Sequence, residues 1–243
     1  MKKISLIGIL ALVFLWVRTM ELFLTSSPWF ELKVLNISGN EDLSKDEVLK
    51  LSGVRLERNI FRINLKDIEK RVEKDQRVKS VEVKRVFPQE IQVRVQEKKP
   101  DLLVNLKLSP KLYGLSVDGE IIPLKDSFSY DLPLINGIKS QGLKPYSRIE
   151  DAEIQTALTF YKIVKKEKPS FLEKISEMNL EDKDNLVVII VKTGTKIFFG
   201  AGDFQKKFER FIWLNKDLVF DGYKGIDLRF KDQVIFKGVN PVR

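Results

Sequence analysis

Two short stretches carry groups of the kind that do chemistry. Gly200-Ala201-Gly202 follows an apolar run, opens a helical pattern and has Asp221 about twenty residues further on, the beginning of a dinucleotide-binding fingerprint. In that fingerprint the glycines let the backbone approach a pyrophosphate at a helix N-terminus, and the acid takes the ribose. The third glycine is missing: Gln205 holds its place, and the roughly twenty residues after Asp221 are too few for another βαβ unit. Glu181-Asp182-Lys183-Asp184 gathers carboxylates that suit a cation site or an acid/base pair, yet it has neither the spacing nor the further ligands of a calcium loop. It reads as a solvated turn. The chain has no histidine and no cysteine, which removes disulfides, thiolate nucleophiles, Ser-His-Asp triads and His- or Cys-held metals. No catalytic, cofactor-binding or metal-ligating residue is assigned, and surface recognition is the chemistry that remains.

Charge narrows the kind of surface. The formal charge of +9 comes from 43 Lys and Arg against 34 Asp and Glu. Residues 1–44 balance at 4 against 4, residues 45–100 hold 16 against 10, and residues 101–243 hold 23 against 20. An early excess suits anionic partners such as nucleic acid or lipid headgroups, but interspersed signs more often mean solvated faces. Nucleic acid and small-molecule substrates are not expected. With 243 residues, 43% of them hydrophobic, the chain can bury a sizeable core.

The elements that position this surface begin with an anchor. Lys2-Lys3 precedes an apolar run from Ile4 to Val17, roughly 21 Å as a helix and short of a hydrocarbon core of about 30 Å. That length alone suits a signal peptide. Continuing through Met20, Leu22, Phe23 and Leu24 gives residues 4–24, roughly 31 Å, with Arg18 snorkelling to the headgroups and Glu21 beside it. Cleavage after Thr25-Ser26-Ser27 would start the mature chain at Pro28, so an uncleaved signal anchor is favoured. The two lysines place residues 1–3 in the cytoplasm and the remainder outside.

Phe30 to Ile37 has strand character and ends at Ser38-Gly39-Asn40. Ser44-Lys45-Asp46-Glu47 is a capping box and Gly53 a left-handed stop, which predicts a helix between them. Asn64-Leu65-Lys66-Asp67 starts a second helix, with Leu65, Ile68 and Val72 on one face, through roughly Gln76. Val81 and Val83, then Ile91, Val93 and Val95, alternate with polar residues about the Phe87-Pro88-Gln89 break, as a hairpin does.

Further on, Leu102–Leu106 and Leu112–Val117 are strand candidates, the second turning at Asp118-Gly119 into Ile121-Ile122. Ile154, Ala157, Leu158, Tyr161 and Val164 predict a helix between Glu150 and Lys168, stopped by Pro169. Ile175–Leu180, Leu186–Val191 and Lys196–Phe199 predict a meander turning at Lys183-Asp184-Asn185 and Thr193-Gly194-Thr195. A helix over Phe204–Leu214 and closing strands around Ile226–Phe230 and Gln233–Phe236 complete the chain.

In this order the residues resemble a known family. Phe30–Pro100 resembles a POTRA domain, and its hairpin resembles that of the FtsQ/DivIB cell-division proteins through Arg85, Phe87, Pro88, Ile91, Val93, Val95, Glu97 and Pro100. Val117-Asp118-Gly119, Leu132-Pro133-Leu134-Ile135-Asn136-Gly137 and Ile226-Asp227-Leu228-Arg229-Phe230 resemble further motifs of that family. The resemblance implies an α+β protein: a single transmembrane helix, a POTRA domain of order β-α-α-β-β over residues 28–100, and a mixed β-rich FtsQ-type domain over residues 101–243 with an antiparallel sheet and two main helices. It implies a bitopic, type II protein of the cytoplasmic (inner) membrane at the division septum, linking early and late divisome components and helping to control septal wall synthesis, without enzymatic activity or a cofactor. Two alternatives are a POTRA-bearing protein of secretion or envelope assembly and a membrane-tethered enzyme using carboxylates alone.

The family binds its FtsB/FtsL-like partners through the last strands, which carries that role onto Arg229, Phe230, Asp232, Val234 and Phe236, with Phe230 where the family usually has tyrosine. A terminal strand with an open edge can accept a strand from another chain. Other divisome proteins are expected on the POTRA domain and the transmembrane segment.

Overall fold

In the computed structural model, which describes residues 6–107, 111–125, 129–139, 143–182, 185–214, 222–231 and 233–239, the apolar N-terminal run forms one helix, α1 (Leu6–Ser26). Ile7–Ser26 is long and apolar enough to cross a membrane, and its large side chains are exposed. Arg18 and Glu21 pair at 2.9 Å one turn apart, so the two charges inside the run travel together. The chain divides into two units, Met1–Lys98 and Lys99–Arg243.

In the first unit the strand predicted from Phe30 starts only at Val34, as β1 (Val34–Ser38). Pro28 opens a 3₁₀ turn over Pro28–Phe30, capped when Trp29 N donates to Ser27 Oγ at 3.3 Å. Leu32 is then drawn into the core by bonds to the 57–58 backbone. The capping box forms as read: Glu47 N donates to Ser44 Oγ (3.2 Å), Ser44 N donates to Glu47 Oε2 (2.8 Å), and α2 (Lys45–Ser52) ends at Gly53. Asn64 caps α3 (Leu65–Val72), which is shorter than predicted because Asp75 accepts from Arg77 N at 2.9 Å and turns the chain into the next strand.

β2 (Val78–Val86) and β3 (Glu90–Glu97) form the predicted hairpin, with the Phe87–Pro88 peptide cis. The sheet order is β1-β3-β2, with β1 parallel to β3. Val83, Ile91, Val93 and Val95 are buried with Val48 of α2 and with Ile68 and Val72 of α3. The pairs Glu82↔Arg94 and Lys84↔Gln92 occupy the other face. Arg85 departs from this solvated set: it stands opposite Ile91 and donates to the carbonyls of Ile60 (2.8 Å) and Ile63 (2.6 Å). One cation of the basic hairpin is thus structural.

The second unit is built on one large sheet. Its strands are β4 (Leu102–Leu106), β5 (Leu112–Leu115), β6 (Ile121–Ile122), β7 (Leu134–Ile138), β8 (Ile175–Asn179), β9 (Leu186–Ile190), β10 (Lys196–Gly200), β11 (Tyr223–Asp227) and β12 (Ile235–Val239). They lie in the order β12-β11-β10-β9-β8-β7-β4-β5-β6. Neighbours are antiparallel except β4/β7, β7/β8 and β10/β11, which makes the sheet mixed where an antiparallel one was expected. The helix α4 (Ala152–Glu167), capped by Asp151, and α5 (Phe204–Leu214) pack on it through an aromatic core: the Phe160 ring lies 4.5 Å from that of Phe199 on β10, and Phe208 and Phe211 are buried beside them. Strand β7 overlaps the motif at residues 132–137 and is not among the predicted strands. Its Gly137, at φ 97°, passes so close to the end of β8 that a Cβ there would fall 2.5 Å from Glu181 N.

A candidate recognition edge at the C-terminal strands

Strand β11 runs beside β10 and pairs its other side with β12, so β12 ends the sheet. Alternation sends Ile226 inward, and Leu228 is buried after it, while Asp227 points to the opposite face. Asp227 is nonetheless 1% exposed. Arg229 forks onto it, Nε to Oδ1 at 2.9 Å and Nη2 to Oδ2 at 2.6 Å, and Lys237 of β12 donates to Oδ2 at 2.8 Å. Hydrogen bonding from Arg229 outweighs burial and, with Lys237, holds the carboxyl far below the usual carboxylate range, and Asp227 in turn raises the Arg229 guanidinium. Both cations also lie over the Phe198 ring, Lys237 Nζ at 4.6 Å and Arg229 Cζ at 5.3 Å from its centroid. These contacts rivet the last two strands to the sheet, and among the described residues no strand pairs with the outer side of β12.

The residues expected to meet a partner separate here. Arg229 is committed to Asp227. Phe230, 47% exposed, lies in a loop, not in a strand, because Arg210 of α5 collects the carbonyls of Leu228 and Phe230, both at 2.9 Å, and that of Lys231. Val234 is half-buried against the core, and Asp232 lies outside the described residues. Phe236 stands on β12, 45% exposed, with its ring 4.9 Å from that of Tyr223. Ile235 is also exposed. The edge therefore presents Phe236, Ile235 and Tyr223, with Phe230 nearby in sequence. Asp227, Lys237, Tyr223 and Ile235 join the candidate site only in the structure. One signal was present: an acid between two core positions with Arg two residues on shares a strand face with it.

The stretches with apparent chemistry resolve into structure. Gly200, at φ 64°, leaves room for the Arg229 side chain, whose Cγ would lie 2.9 Å from a Cβ. Lys207 donates to the carbonyls of Phe199 (2.8 Å) and Ala201 (2.7 Å), so the strand-to-helix turn aims carbonyls at a lysine where a pyrophosphate needs N–H groups. Burial lowers that ammonium's pKa. Asp221 lies outside the described residues. Asp182 caps its own turn, accepting from Asn185 Nδ2 at 3.2 Å, and Glu181 pairs with Lys107 at 3.3 Å; Lys183 and Asp184 lie outside the described residues. Among the described residues no group of acids is arranged to hold a metal ion.

One long apolar helix, a β-α-α-β-β unit of POTRA type and a mixed sheet with two helices define the class: POTRA-bearing proteins with a single candidate membrane helix. Residues 30–98 match the family model described as POTRA domain, FtsQ-type, and residues 106–236 match that described as FtsQ/DivIB, C-terminal related. The chain belongs to the FtsQ/DivIB family of cell-division proteins. It is 24% identical over 219 residues to the cell division protein FtsQ of Geotalea daltonii, covering 89% of this chain and 78% of that one. It is 26% identical over 188 residues to FtsQ of Syntrophotalea carbinolica, covering 77% of this chain and 66% of that one. Against the cell division protein DivIB of Weissella koreensis the identity is 28% over 200 residues, covering 81% and 66%.

Proposed function

We propose that this chain is a bitopic division protein that captures a strand of an FtsB/FtsL-like partner on the open edge of β12, outside the cytoplasmic membrane and at the septum. The observation that carries the reading is the edge itself: a terminal strand fastened from beneath by Asp227, with Phe236 and Ile235 exposed along it. A strand added there gains main-chain hydrogen bonds, and the exposed aromatics give it side-chain anchors. The early residues support the anchor reading, with α1 spanning the membrane and the two sheets beyond it. The POTRA unit and α1 are the surfaces for other divisome proteins, through which early and late components are joined and septal wall synthesis is controlled.

No reaction is assigned. The chain carries no His or Cys, and of the carboxylates that suit catalysis Asp182 is engaged in its turn and Glu181 in an ion pair. Family membership favours division over secretion or envelope assembly. The deciding experiment is crosslinking in intact cells with photoreactive residues at Ile235 and Phe236, followed by identification of the trapped chain. An FtsB/FtsL-like division subunit is the expected product; division partners trapped only from the POTRA unit would move the site away from β12.

A further inference from the structure

The segment joining α2 to α3 gathers four arginines around one cleft. Arg55, Arg58 and Arg62 come from the segment and Arg71 from α3, and with Asn64 and Asp67 they line a space of about 140 Å³. All four are exposed, and among the described residues none is ion-paired. Other arginines of these units are engaged: Arg77 with Asp75 and Glu47, Arg85 with two carbonyls, Arg229 with Asp227. A solvated basic face interleaves signs, as Glu82, Lys84 and Arg94 do on the hairpin; this cleft sets one acid against four guanidiniums. The backbone holds the like charges together. Leu32 N donates to Arg58 O at 3.0 Å and Glu57 N to Leu32 O at 2.9 Å, while Arg71 lies over Gly53, where a Cβ would be 3.5 Å from its Cζ. Converging guanidinium forks match the tetrahedral oxygens of a phosphate.

The same segment touches the end of α1. Asn59 Nδ2 donates to Leu24 O (2.9 Å) and Ser27 O (3.3 Å), and Phe61 shares a cleft with Val17, Met20 and Leu24. Arg58 and Arg62 each follow or precede one of these contact residues by a single Cα step of about 3.8 Å. Two exposed aromatics flank the region, Trp29 at 68% and Phe87 at 62%, the latter with its ring 5.6 Å from that of Phe61. Such rings favour the headgroup zone.

We propose that the arginine cleft binds the phosphate of an anionic lipid headgroup in the leaflet where α1 ends. This rests on α1 spanning the membrane, as proposed above. The intact chain in detergent is titrated with phosphatidylglycerol, phosphatidylcholine or inorganic phosphate and followed by native mass spectrometry. R58A/R62A is expected to retain phosphatidylglycerol about tenfold less tightly than the original chain, and R55Q/R71Q to behave alike. K84A/R94A, which removes the same charge from the hairpin face, is expected to change retention less than twofold. Equal losses in all three variants, or no loss in the first two while circular dichroism shows them folded, overturns the cleft. Phosphatidylcholine retained as tightly, or inorganic phosphate displacing phosphatidylglycerol at matched concentration, overturns the lipid as its occupant. Alkaline carbonate extraction of membranes separates the two readings: a chain that washes off refutes the span, whereas one that stays while R58A/R62A binds normally refutes the cleft alone.

Discussion

Two buried carboxylates, one in each unit, are satisfied in opposite ways. Glu97, 6% exposed at the end of β3, accepts from the backbone N–H groups of Glu41 (2.8 Å), Asp42 (2.8 Å) and Leu43 (2.9 Å) and so fixes the loop between β1 and α2. Asp227, 1% exposed at the end of β11, takes the tips of Arg229 and Lys237, side chains 42% and 46% exposed. Peptide donors cannot swing away, so Glu97 belongs to the fold alone. Cationic side chains can exchange partners, so under the proposed function Asp227 couples the fold to the partner edge. The glutamate at the end of β3 and the aspartate at the end of β11 therefore differ in kind: fixed donors hold the first and movable ones the second.

Glu97→Ala should be the most damaging change, because three N–H groups lose their acceptor at once. A loss of about 3 kcal/mol or more is expected, read as the denaturant midpoint of the first unit. A loss under about 1 kcal/mol would mean that water replaces the carboxylate, and the contrast would collapse.

Asp227→Asn comes next, at about 2 kcal/mol, below the range for a fully buried pair because its partners are half in water. The sign with pH follows from the lowered pKa. Ordinary Asp titrates near 3.8 and the folded carboxyl well below it, so the stabilisation is complete above pH ~4 and is lost as pH falls toward the folded value. The asparagine variant should therefore lose less stability on acidification below pH ~4, which acid titration followed by circular dichroism will measure.

Phe236→Ala addresses recognition without the scaffold. Capture of an FtsB-like peptide should weaken about tenfold, on the order of 1.4 kcal/mol, with melting nearly unchanged. Unaltered capture would return Asp227 to a purely structural role. Lys84→Ala, on the solvated hairpin face and paired with exposed Glu82, should move stability by less than about 0.5 kcal/mol. A larger effect would show that the basic face itself meets something.

The first unit was legible nearly throughout because its signals are local. Ser44, Glu47 and Asn64 cap helices within a few residues, and the valine alternation sets the hairpin register. The second unit hides more. Strand β7 runs between two parallel neighbours, and Pro133 before it and Asn136-Gly137 within it resemble loop punctuation. The last strands were predicted at Ile226–Phe230 and Gln233–Phe236 but form at Tyr223–Asp227 and Ile235–Val239. Arg210, at least 18 residues away in sequence, gathers the carbonyls of Leu228 and Phe230 into a loop, and no local pattern reports that. Of the candidate site, Phe230 and Phe236 were legible as exposed aromatics; the Asp227 ion cluster depends on Lys237, a cation ten residues away on another strand.

The joint between α1 and the domain beside it has a mechanical meaning. Asn59 grips both Leu24 O and Ser27 O, Ser27 N donates to Phe23 O at 3.0 Å, and the rings of Phe23, Phe30 and Phe61 follow one another at 6.1 and 5.1 Å. A flexible linker would let the domain wander as a tethered coil and would pass on tension only. A clamped joint transmits torque as well: turning or tilting α1 turns the three-stranded sheet with it, as a crank turns its arm.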